Sequence, residues 1–307
     1  MKMDLHSFLE AFKEEVIEVK KKVNLEQIGA LAAQAEDTIV FDQIEGYLGF
    51  RLVDRLFSTR KAQARVLGCK PTEVVKRLAD VIRKGPVPLK EVEKAPCQER
   101  VFTGKEIDLS LLPVVRHTAT DPYPYTTGFA VHRNPAANQY NAMYPRCGVL
   151  SRNEMVTSFV TPTANRILAQ YKASGKPMPQ AIAIGVHPAW ELAACYSYPH
   201  EDWWELELFE TITGEVGEVT KCKTVDLVVP ADASIVIEGY VSLTRTAQDG
   251  PNPGPNMLFC PWAQEMPIFE VTAITMRKEP IYRHHQTTPF TDHQEMPRLF
   301  HEAILME

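Results

Sequence analysis

Apolar positions recur with a helical period and a strand period in turn over the first part of this chain. From Asp4, Leu5, Phe8, Leu9 and Phe12 fall at helical spacing, and Val16-Ile-Glu-Val19 then reads as a strand. Asn24 can cap a second helix that carries Ile28, Leu31 and Ala32 on one face. Thr38-Ile-Val-Phe41 is a short apolar strand, and Pro71 opens an amphipathic helix reaching Arg83. Helix and strand alternating over residues 1–85 predict a small α/β domain. Lys84 to Gln98, with three prolines and mixed charges, reads as a linker.

Beyond residue 100 the pattern changes to short apolar runs broken by turns. Leu109 to Val115 (interrupted by Pro113), Asp121-Pro-Tyr-Pro-Tyr125, Phe129–His132, Gly148–Leu150 and Met155–Val160 predict the short strands of a barrel or sandwich. Asn165 to Lys172 reads as a helix with Ile167, Leu168 and Tyr171 inward, Ala181–Gly185 as a buried strand, and Trp190–Ala194 as a helix. Strands follow at Leu227–Val229, Ser234–Glu238 and Ile268–Thr272, and a last helix lies near Pro297–Leu305.

Composition narrows the class. With 307 residues, 45% apolar and 23% charged, the chain is an ordinary globular protein of about two domains. Its net charge of −6 argues against a nucleic-acid partner. No apolar run reaches the ~20 residues of a membrane span, and the N-terminus lacks the apolar core of a signal peptide, so a cytoplasmic location without a membrane partner is expected. The six cysteines are scattered, with no CxxC pair, and are expected as buried free thiols.

Four groups could carry chemistry. Asn141 and Arg146 lie on an extended segment just past the turn Arg133-Asn-Pro-Ala-Ala-Asn138 and can line a pocket; a surface ion pair and a loop amide are the alternative. Glu205-Leu-Glu-Leu-Phe-Glu210 would place Glu205 and Glu207 on one face of a strand, where carboxylates could ligate Mg²⁺ or Mn²⁺, or simply face solvent on an edge. The loop Gln248 to Asn256 reads as a hairpin connection, and gains interest if Asp249 points at Arg146. His284, His285, His293 and His301 cluster late without an HExxH frame, and His285 and His293 read as surface or packing residues. No GxGxxG, GxxxxGK[ST] or GxSxG string is present.

Several strings, in order, resemble one family. They are Leu112-Pro-Val-Val-Arg-His117, Asn141-x4-Arg146, Met178-Pro-Gln-Ala-Ile-Ala-Ile-Gly185, Glu205-x8-Gly214, and Val219 to Ala231. Ile235-Val-Ile-Glu-Gly239, Pro267 to Thr275 and Lys278-x-Pro-Ile-Tyr282 complete the set. The chain resembles the UbiD-type decarboxylases, which use prenylated FMN. The resemblance implies an α/β (α+β) fold: an N-terminal α/β domain with linker over 1–105, a split β-barrel of flavin-reductase type over 106–280, and a C-terminal segment over 281–307. Family members usually continue into a further α/β domain there, so a truncated chain, a naturally short form or half of a split enzyme is expected.

Carried onto this sequence, the resemblance makes Asn141 and Glu205 ligands of a divalent metal (Mn²⁺ or Mg²⁺) that bridges to the cofactor phosphate, with K⁺ a further candidate ion. The family's histidine ligand falls on Ala164. Arg146 matches the arginine that orients the substrate carboxylate beside the flavin, by paired hydrogen bonds that lysine cannot reproduce. The family's two catalytic glutamates fall on Asp249 and, after a two-residue insertion, on Asn256, whose amide cannot deliver the proton that replaces CO₂. The implied activity is reversible non-oxidative decarboxylation of an aromatic or α,β-unsaturated acid by a homo-oligomer, with Arg146, Asp249 and Asn256 at the catalytic positions. A non-catalytic or half-site subunit partnered by a second UbiD-like chain is the alternative, and a plain flavin reductase a third.

Overall fold

The fold is described from a computed structural model, which covers residues 4–137, 139–159, 161–197, 200, 203–251, 262–285 and 291–306. The first part comprises α1 (Leu5–Ala11), β1 (Ile17–Val19), α2 (Leu25–Gln34), β2 (Ile39–Phe41), β3 (Arg51–Asp54), α3 (Arg60–Leu67), α4 (Val74–Lys84) and β4 (Lys90–Glu91). Then follow β5 (Arg100–Thr103), β6 (Tyr125–Thr126), β7 (Phe129–Asn134), β8 (Gln139–Met143), β9 (Cys147–Val149), β10 (Glu154–Thr157) and α5 (Pro162–Ser174). The last part holds β11 (Met178–Ile184), α6 (Pro188–Ala194), α7 (Leu208–Thr213), β12 (Glu218–Lys221), β13 (Val228–Pro230), β14 (Ile235–Asp249), β15 (Gln264–Met276), β16 (Ile281–Arg283) and α8 (Asp292–Ile304).

Local chemistry accounts for the helix starts. Asp4 caps α1 through Ser7, and Asn24 caps α2 by accepting from the Glu26 N–H while Gln27 reaches back to the Asn24 N–H. The Thr161 hydroxyl accepts from the Ala164 N–H, and Pro162 takes the first turn of α5, where its missing N–H costs nothing. Arg60 to Leu67 is also helical, a segment its sparse apolar pattern does not announce.

Three sheets organise these elements. β1, β2, β3 and β16 form one, with β16 parallel to β3, so the chain returns at residue 281 to its first layer. α8 then packs on α4. A nine-stranded sheet runs β6-β9-β10-β15-β14-β11-β7-β8, with β5 on β15. β13, β12 and β4 make the third, which puts part of the expected linker into a strand.

Period-2 alternation on the central strands feeds two cores. Ala181, Ala183 and Val236 face a cluster containing Trp190, Phe209, Leu78 and Phe300, whereas Ile182, Ile184, Ile235 and Ile237 face one containing Ile167, Leu168 and Phe269. Both faces being buried, these strands read as continuous apolar runs. The β14–β15 register slips at Gly239, where a Cβ would stand 2.0 Å from the Glu270 carbonyl oxygen; only glycine fits that bulge.

Three expectations need correction. Leu109–Leu111 is a 3₁₀ turn rather than a strand. Glu205–Glu207 is likewise a 3₁₀ turn leading into α7. There the Glu-Leu-Glu-Leu alternation is overridden by Leu208, Phe209 and Ile212, which share one buried helical face, Phe209 stacking on Trp190 at 3.9 Å. The described cysteines are free, but only Cys97 and Cys147 are buried, while Cys69, Cys195 and Cys222 are half-buried.

Candidate cofactor site

Asn141 stands on β8 opposite His132 of β7, and the turn at Glu205 is brought against it. The Asn141 Nδ2 donates to Glu205 Oε1 at 2.7 Å, and the Ala142 N–H donates to Oε2 at 2.8 Å. Glu205 is only 8% exposed, and no Lys or Arg side chain reaches it among the described residues. Burial pushes its carboxyl up to about 8, against the pull of those hydrogen bonds. Asn141 Oδ1 is buried and finds no partner among the described residues. A buried carboxylate without a cation, beside an unused amide oxygen, is a pair of hard donors lacking an acceptor.

Both residues line a cavity of about 490 Å³. Its wall continues through Thr161, Pro162 and Thr163 at the start of α5, the Tyr196 and Trp203 rings, and His293 of α8. The N-terminus of a 13-residue helix thus opens toward the two donors, a setting that favours an anion such as a phosphate. Among the described residues no group of three or more His, Cys, Asp or Glu side chains is placed to hold a metal; Ala164 is fully buried within α5. Asn141 Oδ1 and the Glu205 carboxylate form a hard oxygen pair that would suit Mg²⁺ or Mn²⁺ completed by water or phosphate.

Arg146 does meet Asp249. Its Nη2 donates to Asp249 Oδ2 at 2.8 Å, and its guanidinium lies 5.3 Å from the Tyr125 ring centroid. Strand pairing fixes this approach, since the Ser158 N–H donates to the Arg146 carbonyl and Cys147 pairs with Thr157. Asp249, the last residue of β14, is 3% exposed and also accepts from Tyr125 Oη at 2.8 Å and from Ser158 Oγ. Three donor contacts of this kind leave the carboxylate tied in place, and Arg146 remains the more open partner, its side chain 24% exposed. Asn256 lies outside the described residues.

Of the late histidines, His284 and His285 are packed in the interior, His293 is half-buried and His301 is exposed. His284 and His285 are 0% and 2% exposed, and burial lowers His285 well below its usual range. His293 is lowered to about 4 by burial and then by the charge of Arg146, which links the cavity wall electrically to Arg146. Tyr125 and Ser158 carried no signal in the sequence, being 124 and 91 residues from Asp249.

Residues 90–289 match the 3-octaprenyl-4-hydroxybenzoate carboxy-lyase Rift-related domain, and residues 9–82 match the N-terminal domain of the same enzymes. The chain belongs to the UbiD family. An evolved dimeric form of the UbiD-class enzyme HmfF from Pelotomaculum thermopropionicum, in complex with prFMN, superposes with a TM-score of 0.91 at 29% identity, covering 99% of this chain and 72% of that one. The closed form of vanillic acid decarboxylase from Sedimentibacter hydroxybenzoicus gives 0.88 at 25% identity, covering 96% and 67%. The apo 3,4-dihydroxybenzoic acid decarboxylase from Enterobacter cloacae gives 0.85 at 23%, covering 97% and 67%, a likeness of fold. The mixed α/β architecture with several sheets is shared with these UbiD-class enzymes.

Proposed function

We propose that this chain carries out non-oxidative decarboxylation, or the reverse carboxylation, of an aromatic or α,β-unsaturated acid with prenylated FMN. The observation that carries the reading is one cavity holding the Asn141–Glu205 donor pair and the α5 N-terminus, with Arg146 held by Asp249 close by. HmfF is solved with prFMN and with FMN, which supports a flavin cofactor for this chain, and we assign it to this cavity. In this reading Asn141 Oδ1 and Glu205 hold Mn²⁺ or Mg²⁺, and the α5 N–H groups receive the phosphate. The nine-stranded sheet is the part we assign to a split β-barrel, within domains spanning 1–105 and 106–280.

Bound prenylated FMN supplies an electron sink for the charge left when CO₂ departs. The protein does the rest. Arg146, with two parallel N–H groups, receives the substrate carboxylate and fixes the plane of the acid. Asp249 keeps the guanidinium from rotating, because it is itself held by Tyr125 and Ser158. A half-site subunit is the second reading, favoured by Ala164 and Asn256 standing at two functional positions of the family.

Reconstituting the protein with prenylated FMN and Mn²⁺, then assaying CO₂ release over a panel of acids, tests the proposal. Wild type should turn over at least one acid, and Arg146→Ala should lose about a hundredfold or more in kcat/KM, the worth of two charge-assisted hydrogen bonds. Equal activity of the two proteins would overturn it.

A further inference from the structure

A row of buried polar side chains crosses the nine-stranded sheet and ends at Asn141, and the proposed function uses only that last member. His132 of β7 pairs with Asn141 of β8. Gln180 of β11 reaches His132 from the other side, the register of Ala181 on Val131 bringing the two level. Alternation puts these side chains on the face that also carries Ala130, Met143 and Ile182. His132 and Gln180 are both 0% exposed. A polar atom sunk this deep costs stability unless it finds a partner. Gln180 Nε2, His132 Nδ1 and Asn141 Oδ1 find none among the described residues.

The bonds that are made fix what His132 offers. Its Nε2 lies 2.8 Å from Gln180 Oε1, to which Thr157 Oγ1 also donates at 3.5 Å. An amide oxygen only accepts, so Nε2 carries the hydrogen and Nδ1 keeps its lone pair in the neutral ring. The nitrogens of an imidazole point away from each other. With Nε2 turned to β11, Nδ1 turns to β8, where Asn141 stands. Metal-binding histidines are held in this way, the nitrogen that does not bind metal donating to an oxygen acceptor. Paired side chains on one face have Cβ atoms about 5 Å apart. His132 Nδ1 and Asn141 Oδ1 are each bonded to the atom next to Cβ, so one ion can touch both. Glu205 approaches from the opposite flank: β8 ends the sheet, and Asn141 Nδ2 and the Ala142 N–H both donate to the Glu205 carboxylate beyond that edge.

We propose that His132 Nδ1 is the nitrogen ligand of the divalent metal, completing a donor set with Asn141 Oδ1 and Glu205. The inference rests on the assignment of a metal to Asn141 and Glu205. Ala164, where the resemblance calls for a histidine, leaves the nitrogen position open. His132 fills it from a different strand. Gln180 is a positioning residue that fixes the tautomer of His132 and aims its Nδ1. An imidazole among oxygen donors favours Mn²⁺ over Mg²⁺, which takes oxygen ligands and water.

Pulsed EPR tests this on protein labelled with ¹⁵N only at histidine and reconstituted with prenylated FMN and Mn²⁺. The spin-echo modulation of wild type should show a ¹⁵N nucleus bonded to manganese. The coupling should vanish in His132→Leu, with Mn²⁺ binding weakened on the order of a hundredfold or more. Gln180→Leu should keep the coupling and weaken Mn²⁺ binding by about tenfold, as for loss of the group that orients a ligand. The wild-type spectrum needs no variant to fold, so a spectrum without ¹⁵N coupling, from Mn²⁺ that Glu205→Gln displaces, would overturn the role of His132 and leave the metal assignment standing. Coupling that persists in His132→Leu would likewise overturn it, by showing that another histidine is the ligand. Mn²⁺ binding that Glu205→Gln does not weaken would instead overturn the metal assignment itself, and the inference with it.

Discussion

Replacing Glu205 by glutamine should stabilise the cofactor-free protein at alkaline pH and leave it unchanged or slightly weaker in acid. Burial raises this carboxyl from 4.5 to about 8. The folded state therefore holds a proton that the unfolded chain releases. Its contribution is fully present below pH 4.5 and is lost as the pH rises through about 8. A shift of this size corresponds to roughly 5 kcal/mol at 1.4 kcal/mol per unit, an upper bound because water can enter the cavity. We expect Glu205→Gln to exceed wild type by about 2–4 kcal/mol at pH 9. Urea unfolding followed by tryptophan fluorescence from pH 5 to 9 reads this directly. Glu191 and Asp232, both raised to about 7 by burial, are common to the two proteins and cancel in the difference. Mn²⁺ should stabilise wild type at pH 8 by about 2.7 kcal/mol at a hundredfold excess over its Kd, and the variant hardly at all. A wild-type-minus-variant difference that stays flat with pH would refute the buried, cation-free carboxylate on which the site depends.

Other substitutions probe the frame around the site. Arg283→Leu leaves Asp54, Glu191 and Asp292 uncompensated and should cost about 3–5 kcal/mol in urea unfolding; a loss below about 1 kcal/mol would contradict the cluster. Gly239→Ala forces the β14–β15 bulge apart and should cost about 1–3 kcal/mol, read as a fall in Tm that an unaltered melting curve would disprove. Arg146→Lys keeps the charge and loses the paired geometry, so KM for the acid should rise about tenfold or more, and an unchanged KM would show that a point charge suffices.

Much of this could be read from residues alone where the physics is local. The Asn24 cap, the bodies of α5 and α6, and the continuous apolar runs at Ala181–Gly185 and Ser234–Glu238 are set by neighbours a few positions away. The pairing of Arg146 with Asp249 stands in the sequence only as a condition on the loop's interest, because 103 residues separate the two. What stayed hidden was governed by tertiary packing. The helical turn at Glu205 is selected by Phe209 docking on Trp190, against a local pattern that favours a strand. The Arg283 cluster draws Asp54, Glu191, Asp292 and His284 from four separate elements, so no window of sequence contains it. The burial of His284 and His285 is equally invisible to local sequence, because it depends on β16 returning to β3.

The central claim is that the cavity walled by β8, α5, α6 and α8 is a flavin–metal site beside a carboxylate dock. The most direct measurement is anomalous diffraction from crystals of the protein reconstituted with Mn²⁺ and prenylated FMN. The account predicts a manganese peak bonded to Asn141 Oδ1 and the Glu205 carboxylate, with the flavin phosphate on the α5 N-terminus and the ring system extending toward Arg146. Manganese bound elsewhere, or a flavin outside this cavity, would contradict it.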